Sequence, residues 1–251
     1  MNSPHAKFRL RGSAVAVLLL LGLPACHDNA PAVIPDPQPP GPDNPATPAT
    51  PDPAAERQTR SLFDGHSLEP WQIIDFGGQD QIVVADGAIM AEPGWPLAGI
   101  RRADPEVPRD DYSILLEACK LEGTDFFCCL TFPVGWQSCS LVIGGWGGVV
   151  TGISCIDGED AAVNRTRSVR KYEPGTWYPV RVDVSLQRVI CHVDGEVVAE
   201  FNPGDVELSV RNEVLPSQPL GICAFETRAA WRNIRLVQPA LDHEPTAGEG
   251  K

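Results

Sequence analysis

Between residues 60 and 238 apolar residues come in short runs about ten residues apart, separated by Gly, Pro, Asp and Asn, and no stretch carries a convincing helical period. The best runs are Gln81 to Ala85, Ala88 to Ala91, Tyr112 to Leu121, Phe126 to Phe132, Ser140 to Ile143, Thr151 to Ile156, Trp177 to Val184, Val189 to Val193, Val197 to Phe201, Leu220 to Phe225 and Trp231 to Val237. Many short strands at this spacing predict an all-β sandwich or barrel. Asp86-Gly87 and Asp194-Gly195 read as hairpin turns, because glycine tolerates the positive φ that tight turns need. In Tyr178-Pro-Val180-Arg-Val182-Asp-Val184 strict alternation puts the tyrosine and valines on the core face and Arg181 and Asp183 on the other. Phe126 to Phe132 is apolar on both faces, as in a central strand covered on both sides. Its polar neighbours, Asp125 and Thr131, share a face, which marks where a site is expected.

The flanks lack this pattern. Lys7, Arg9 and Arg11 precede an apolar stretch, Ala14 to Leu23, too short to span a bilayer and suited to a signal-peptide core. It ends in Leu23-Pro24-Ala25-Cys26, which resembles a bacterial lipobox and makes Cys26 the expected lipidated residue; an ordinary signal peptide with a chance cysteine is the alternative. On the first reading residues 1–26 are a lipoprotein signal and the chain is exported and anchored to the cell envelope, periplasmic or at the surface. Residues 27–59 are rich in Pro, Ala, Asp and Thr and read as an extended tether with a reach of up to roughly 100 Å. Residues 60–238 are then one domain, and 239–251 a tail without apolar period.

The formal charge of −13 and the lack of a basic patch argue against a nucleic-acid partner and favour a neutral polar one. Beyond Cys26 seven cysteines remain, several inside strand patterns, and inert core thiols are expected, with one or two disulfides allowed. No Cys/His spacing suggests zinc.

LFDGHSLEPW (62–71), VDGEVV (193–198), PLGI (219–222) and WRNIRL (231–236) together resemble the 3-keto-disaccharide hydrolase family. The resemblance covers about residues 60–238. It implies an antiparallel jelly-roll β-sandwich, concanavalin-like or laminin-G-like, and glycoside substrates oxidised at C3. The middle of the domain, residues 125–166, departs from the family's commoner pattern and reads as a divergent branch.

A ketone at C3 of a sugar acidifies the C2 proton, so the chemistry calls for a carboxylate base and an Arg, Lys or metal to hold the enolate. Asp125 is the preferred base. Asp157, Glu159, Asp160 and Asn164 cluster beyond a strand end, where they can serve proton transfer, grip a substrate, hold calcium or another divalent cation, or simply form a solvated turn. Arg170 and Lys171 are candidate cations, or surface charges balancing Glu159 and Asp160. Glu226 is a candidate second carboxylate, or an exposed strand-end residue. Trp136 and Trp146, in glycine-rich turns, are candidates for stacking on a sugar ring, or plugs for the ends of the core. Trp231 is expected to close the core. A non-catalytic carbohydrate-binding module using the two tryptophans is the second functional reading.

Overall fold

The computed structural model describes residues 57–77, 82–102 and 107–239. The signal peptide, Cys26, most of the tether, Gln81 and the tail after 239 lie outside the described residues.

Two antiparallel sheets face each other. The first takes the order β13 (Glu196–Phe201), β12 (Val189–Val193), β11 (Trp177–Val184), β6 (Tyr112–Gly123), β15 (Thr227–Pro239), β4 (Ala88–Ala91), β3 (Ile82–Ala85), with β1 (Arg57–Ser61) also paired to β15. The second runs β10 (Ser168–Val169), β9 (Val150–Ser154), β8 (Gln137–Gly144), β7 (Cys128–Val134), β14 (Leu220–Phe225), β5 (Leu97–Arg102), β2 (Gln72–Ile73). This is the sandwich that the spacing of the apolar runs predicts.

Alternation assigns the faces. Ile114, Leu116 and Ala118 of β6 and Val180, Val182 and Val184 of β11 meet Leu130 and Phe132 of β7, Leu141 and Ile143 of β8 and Ile222 of β14 in one core. Trp231 is fully buried there and donates its indole N–H to the Phe127 carbonyl at 2.9 Å. Every residue of β7 is buried, so its second face is covered too. The cover is the segment after β13, which places Val210 and Val214 against Leu97, Cys129, Val142 and Cys223 on the outer face of the second sheet.

The opening and closing motifs are tied together. Asp64 accepts from the N–H groups of His66 and Ser67, an Asx turn; the Leu62 N–H donates to the Ile234 carbonyl, and the Trp71 indole donates to the Leu62 carbonyl. Two expectations need correction. β1 begins at Arg57, three residues inside the expected tether, because Arg57-Gln-Thr-Arg-Ser61 pairs along β15 through its backbone without needing an apolar face. β15 itself begins at Thr227 rather than Trp231. The expectation of inert core thiols holds: the seven cysteines among the described residues are buried and free, and none of the allowed disulfides joins them. Burial pushes the Cys128, Cys139 and Cys191 thiols well up, which removes them as nucleophiles.

Candidate functional site

The outer face of the second sheet holds a cleft of about 250 Å³. Register explains its floor. Gly99, Cys223, Cys129, Val142 and Gly152 form one row across β5, β14, β7, β8 and β9, and Gly221, Thr131, Ser140 and Ser154 form the next. The first row is apolar; the second carries hydroxyls, with Thr131 and Ser140 hydrogen-bonded to each other at 2.8 Å. Gly99 is required, since a Cβ there would lie 2.5 Å from the Cys223 Cβ.

One wall comes from the loops at the end of the sandwich. Asp125 and Phe126 precede β7, and Phe126 packs against Phe225 with ring centroids 5.6 Å apart. The Asp125 carboxylate accepts from the Phe126 N–H at 2.8 Å and from the Gly147 N–H at 3.2 Å, and its own N–H donates to Thr227. The contact to Gly147 fixes the turn Gly145–Gly148, in which Trp146 and Gly147 both take left-handed backbone angles. That turn holds the Trp146 indole at the cleft, 38% exposed.

The other wall is Arg211, Glu213 and Val214. Arg211 divides its guanidinium between Asp160 at 2.6 Å and Glu213 at 2.9 Å. The hydrogen bond from Arg211 holds the Glu213 carboxyl below the usual glutamate value of 4.5. Because the folded-state value is the lower one, this pair stabilises above pH 4.5 and the contribution is lost as pH falls through that lower value. Glu213→Gln is therefore expected to melt slightly below the wild type at pH 7 and together with it near pH 3, a small difference because Glu213 is exposed.

Of the residues singled out in the sequence, Asp125 and Trp146 line the cleft, and Asp160 reaches it through Arg211. Asp157 stands in an exposed turn and accepts from the Glu207 N–H. Asn164 is buried with its amide fully used: it donates to the Ile153 and Glu159 carbonyls and accepts from Thr166. Arg170 pairs with Asp194 and Glu196 and lies over Tyr172 and Tyr178, so its charge balances the β12–β13 turn rather than Glu159 and Asp160. Lys171 and Glu226 are exposed and outside the cleft lining. Trp136 is 96% exposed at the tip of the β7–β8 hairpin. A strand's length, roughly 20–25 Å, separates it from the turn carrying Trp146, so the two indoles form no common platform. Among the described residues no group of three or more His, Cys, Asp or Glu side chains converges to hold a metal ion.

Arg211, Glu213, Phe126 and Phe225 were not singled out in the sequence. Phe225 was readable from alternation, since Leu220, Ile222 and Ala224 face the core and leave Cys223 and Phe225 outward.

Fold and cleft together define an antiparallel β-sandwich with an aromatic-lined cleft on the outer face of one sheet. The chain belongs to the family of 3-keto-alpha-glucoside-1,2-lyase-like domains, whose pattern matches residues 58–237. No curated protein matches the sequence. Among solved structures, a protein of unknown function with a galectin-like fold from Bacillus subtilis superposes with a TM-score of 0.51 at 11% identity, over 72% of this chain and 94% of that one. A provisionally assigned glycosyl hydrolase from Parabacteroides distasonis gives 0.46 at 13%, over 75% and 95%. A carbohydrate-binding module of Bacillus subtilis gives 0.41 at 12%, over 66% and 94%. At these identities the likeness concerns fold, and only the first structure carries weight.

Proposed function

We propose that this domain cleaves 3-keto-glycosides in the cleft of the second sheet, with Asp125 as the base. The observation that carries the reading is the placement of Asp125 and Arg211 on facing walls of one aromatic-lined cleft. Phe126, Phe225 and Trp146 offer surfaces for the apolar C–H face of a sugar ring, and Arg211, steadied by two carboxylates, offers N–H donors to its hydroxyls. Asp125 takes the C2 proton, the electron pair is held as the enolate of the C3 ketone, and its return forms the C1–C2 double bond as the C1–O bond breaks. The proton on Asp125 is then available to the departing alkoxide, which closes the balance, and later addition of water makes the net reaction a hydrolysis.

The experiment is incubation of the protein with a panel of 3-keto-glucosides and their unoxidised parents, with and without chelator, following release of the leaving group. Release confined to the keto sugars supports the reading. Absence of release, with retention on a polysaccharide column, makes the domain a binding module instead.

We also propose that Cys26 anchors the chain to the cell envelope, the reading supported by Leu23-Pro-Ala-Cys26 behind an apolar stretch. Metabolic labelling with a fatty acid should mark the wild type and not Cys26→Ser; equal labelling of the two would refute it.

A further inference from the structure

At the end of the second sheet that carries Asp125, main-chain contacts join four segments into one rim. The Asp125 carboxylate accepts from the Gly147 N–H, next to Trp146. The Phe225 N–H donates to the Phe126 carbonyl at 3.0 Å, and the Glu226 N–H donates to the Pro96 carbonyl at 2.9 Å. The turn after β8, the segment before β7, the end of β14 and the turn before β5 therefore stand side by side, in the order of the sheet. Trp146 is on the first of them and Trp95 on the last. Three strand spacings, roughly 14–15 Å, separate those two turns, with Asp125, Phe126 and Phe225 between them.

Trp95 is 84% exposed, against 38% for Trp146. An indole left in water gains the fold nothing from burial, and a polar residue would serve the same turn. The turn is nevertheless closely built. A Cβ on Gly94 would lie 2.0 Å from the Leu97 carbonyl oxygen, so only glycine fits there, and the Pro96 carbonyl is held by Glu226. Leu97, two residues after Trp95, is paired with Phe225, and both line the cleft. Trp95 is thus an exposed aromatic on a fixed turn, beside the cleft and outside its lining. Among the described residues the other strongly exposed indole, Trp136, is at the opposite end of β8.

The cleft itself is small. Its volume of about 250 Å³ is below the roughly 300–1,000 Å³ of pockets that enclose a drug-sized ligand. We propose that the cleft takes the keto ring alone and that Trp95 is the stacking surface for the group leaving from C1, an inference that rests on the keto-glycoside reading. With the C2–H at Asp125 and the ring against Trp146 and Phe126, the C1 substituent runs along the rim past Phe225 to Trp95. When that substituent is a second sugar, its apolar C–H face lies on the indole. A leaving group as small as methanol does not reach Trp95, and its departure is independent of it.

The test compares Trp95→Ala and Trp95→Phe with the wild-type chain in steady-state cleavage of a 3-keto-disaccharide and of a methyl 3-keto-glucoside, with thermal melts alongside. Trp95→Ala should lower kcat/KM for the disaccharide about five- to tenfold and leave that for the methyl glycoside within about twofold. It should melt with the wild type, as an exposed substitution does, and Trp95→Phe should recover most of the loss. An unchanged rate on the disaccharide, or an equal loss on both substrates, would overturn the inference and leave the keto-glycoside reading standing. A lowered melting temperature that accounts for the loss would also overturn it, assigning Trp95 to the fold. A wild type that cleaves neither substrate removes the keto-glycoside reading, and the leaving-group role of Trp95 with it.

Discussion

Asp125→Asn should lower keto-glycoside cleavage by about a thousandfold while the domain stays folded, within the span of roughly 10² to 10⁴ that a positioned base contributes. Asparagine keeps the shape and one acceptor, enough to hold the Phe126 N–H, but it turns an amide group toward the Gly147 N–H or leaves that donor without its partner. Losing that contact costs about 1 kcal/mol, too little to unfold a domain of this size. Near-unchanged circular dichroism and a melting temperature within a few degrees of wild type, beside the lost rate in a stopped assay with a 3-keto-glucoside, is the expected pair of results. A variant that cleaves at the wild-type rate would remove Asp125 as the base, whatever the fate of the rest of the cleft.

Trp231→Ala should destabilise the domain by about 3–5 kcal/mol, the range for deleting a large aromatic side chain from a packed core. Trp231 is fully buried among residues of both sheets, and its replacement leaves a void that the stiff strands on either side cannot close. It also strips the Phe127 carbonyl of its indole donor. Phe127 lies between Asp125 and Phe126 on one side and β7 on the other, so the damage extends to the wall of the cleft. Thermal melts should show a fall on the order of 10 °C, and a fall of only one or two degrees would mean that the two sheets do not depend on this residue. Trp231→Phe, which keeps most of the volume but loses the N–H and part of the ring system, should fall between.

How much of this was readable in advance depends on whether a residue's neighbours lie along the chain or across it. Strands such as β7 and β11 declare themselves, because their burial alternates or runs unbroken within a few residues. The edge strand β1 does not: Arg57-Gln-Thr-Arg-Ser61 has no apolar face, and it is a strand only because the backbone of β15 is there to pair with it. β5 was hidden by Gly99, a residue that usually speaks against a strand and is here the only one that fits beside Cys223. The same division runs through the site. Asp125 could be picked out because it flanks a strand apolar on both faces. Arg211 could not, since its place is fixed by Asp160, fifty-one residues earlier in the chain, and by the need to cover Cys129, Val142 and Cys223. The apolar outer face of β7 did imply that something must cover it, but not which segment.

Arg57 and Pro239, the first and last described residues, are partners in the β1–β15 ladder. The two ends of the described chain thus lie about 5 Å apart, the spacing of neighbouring strands. The domain therefore spans, from its first described residue to its last, little more than the width of one strand pair, whatever the length of chain folded between them.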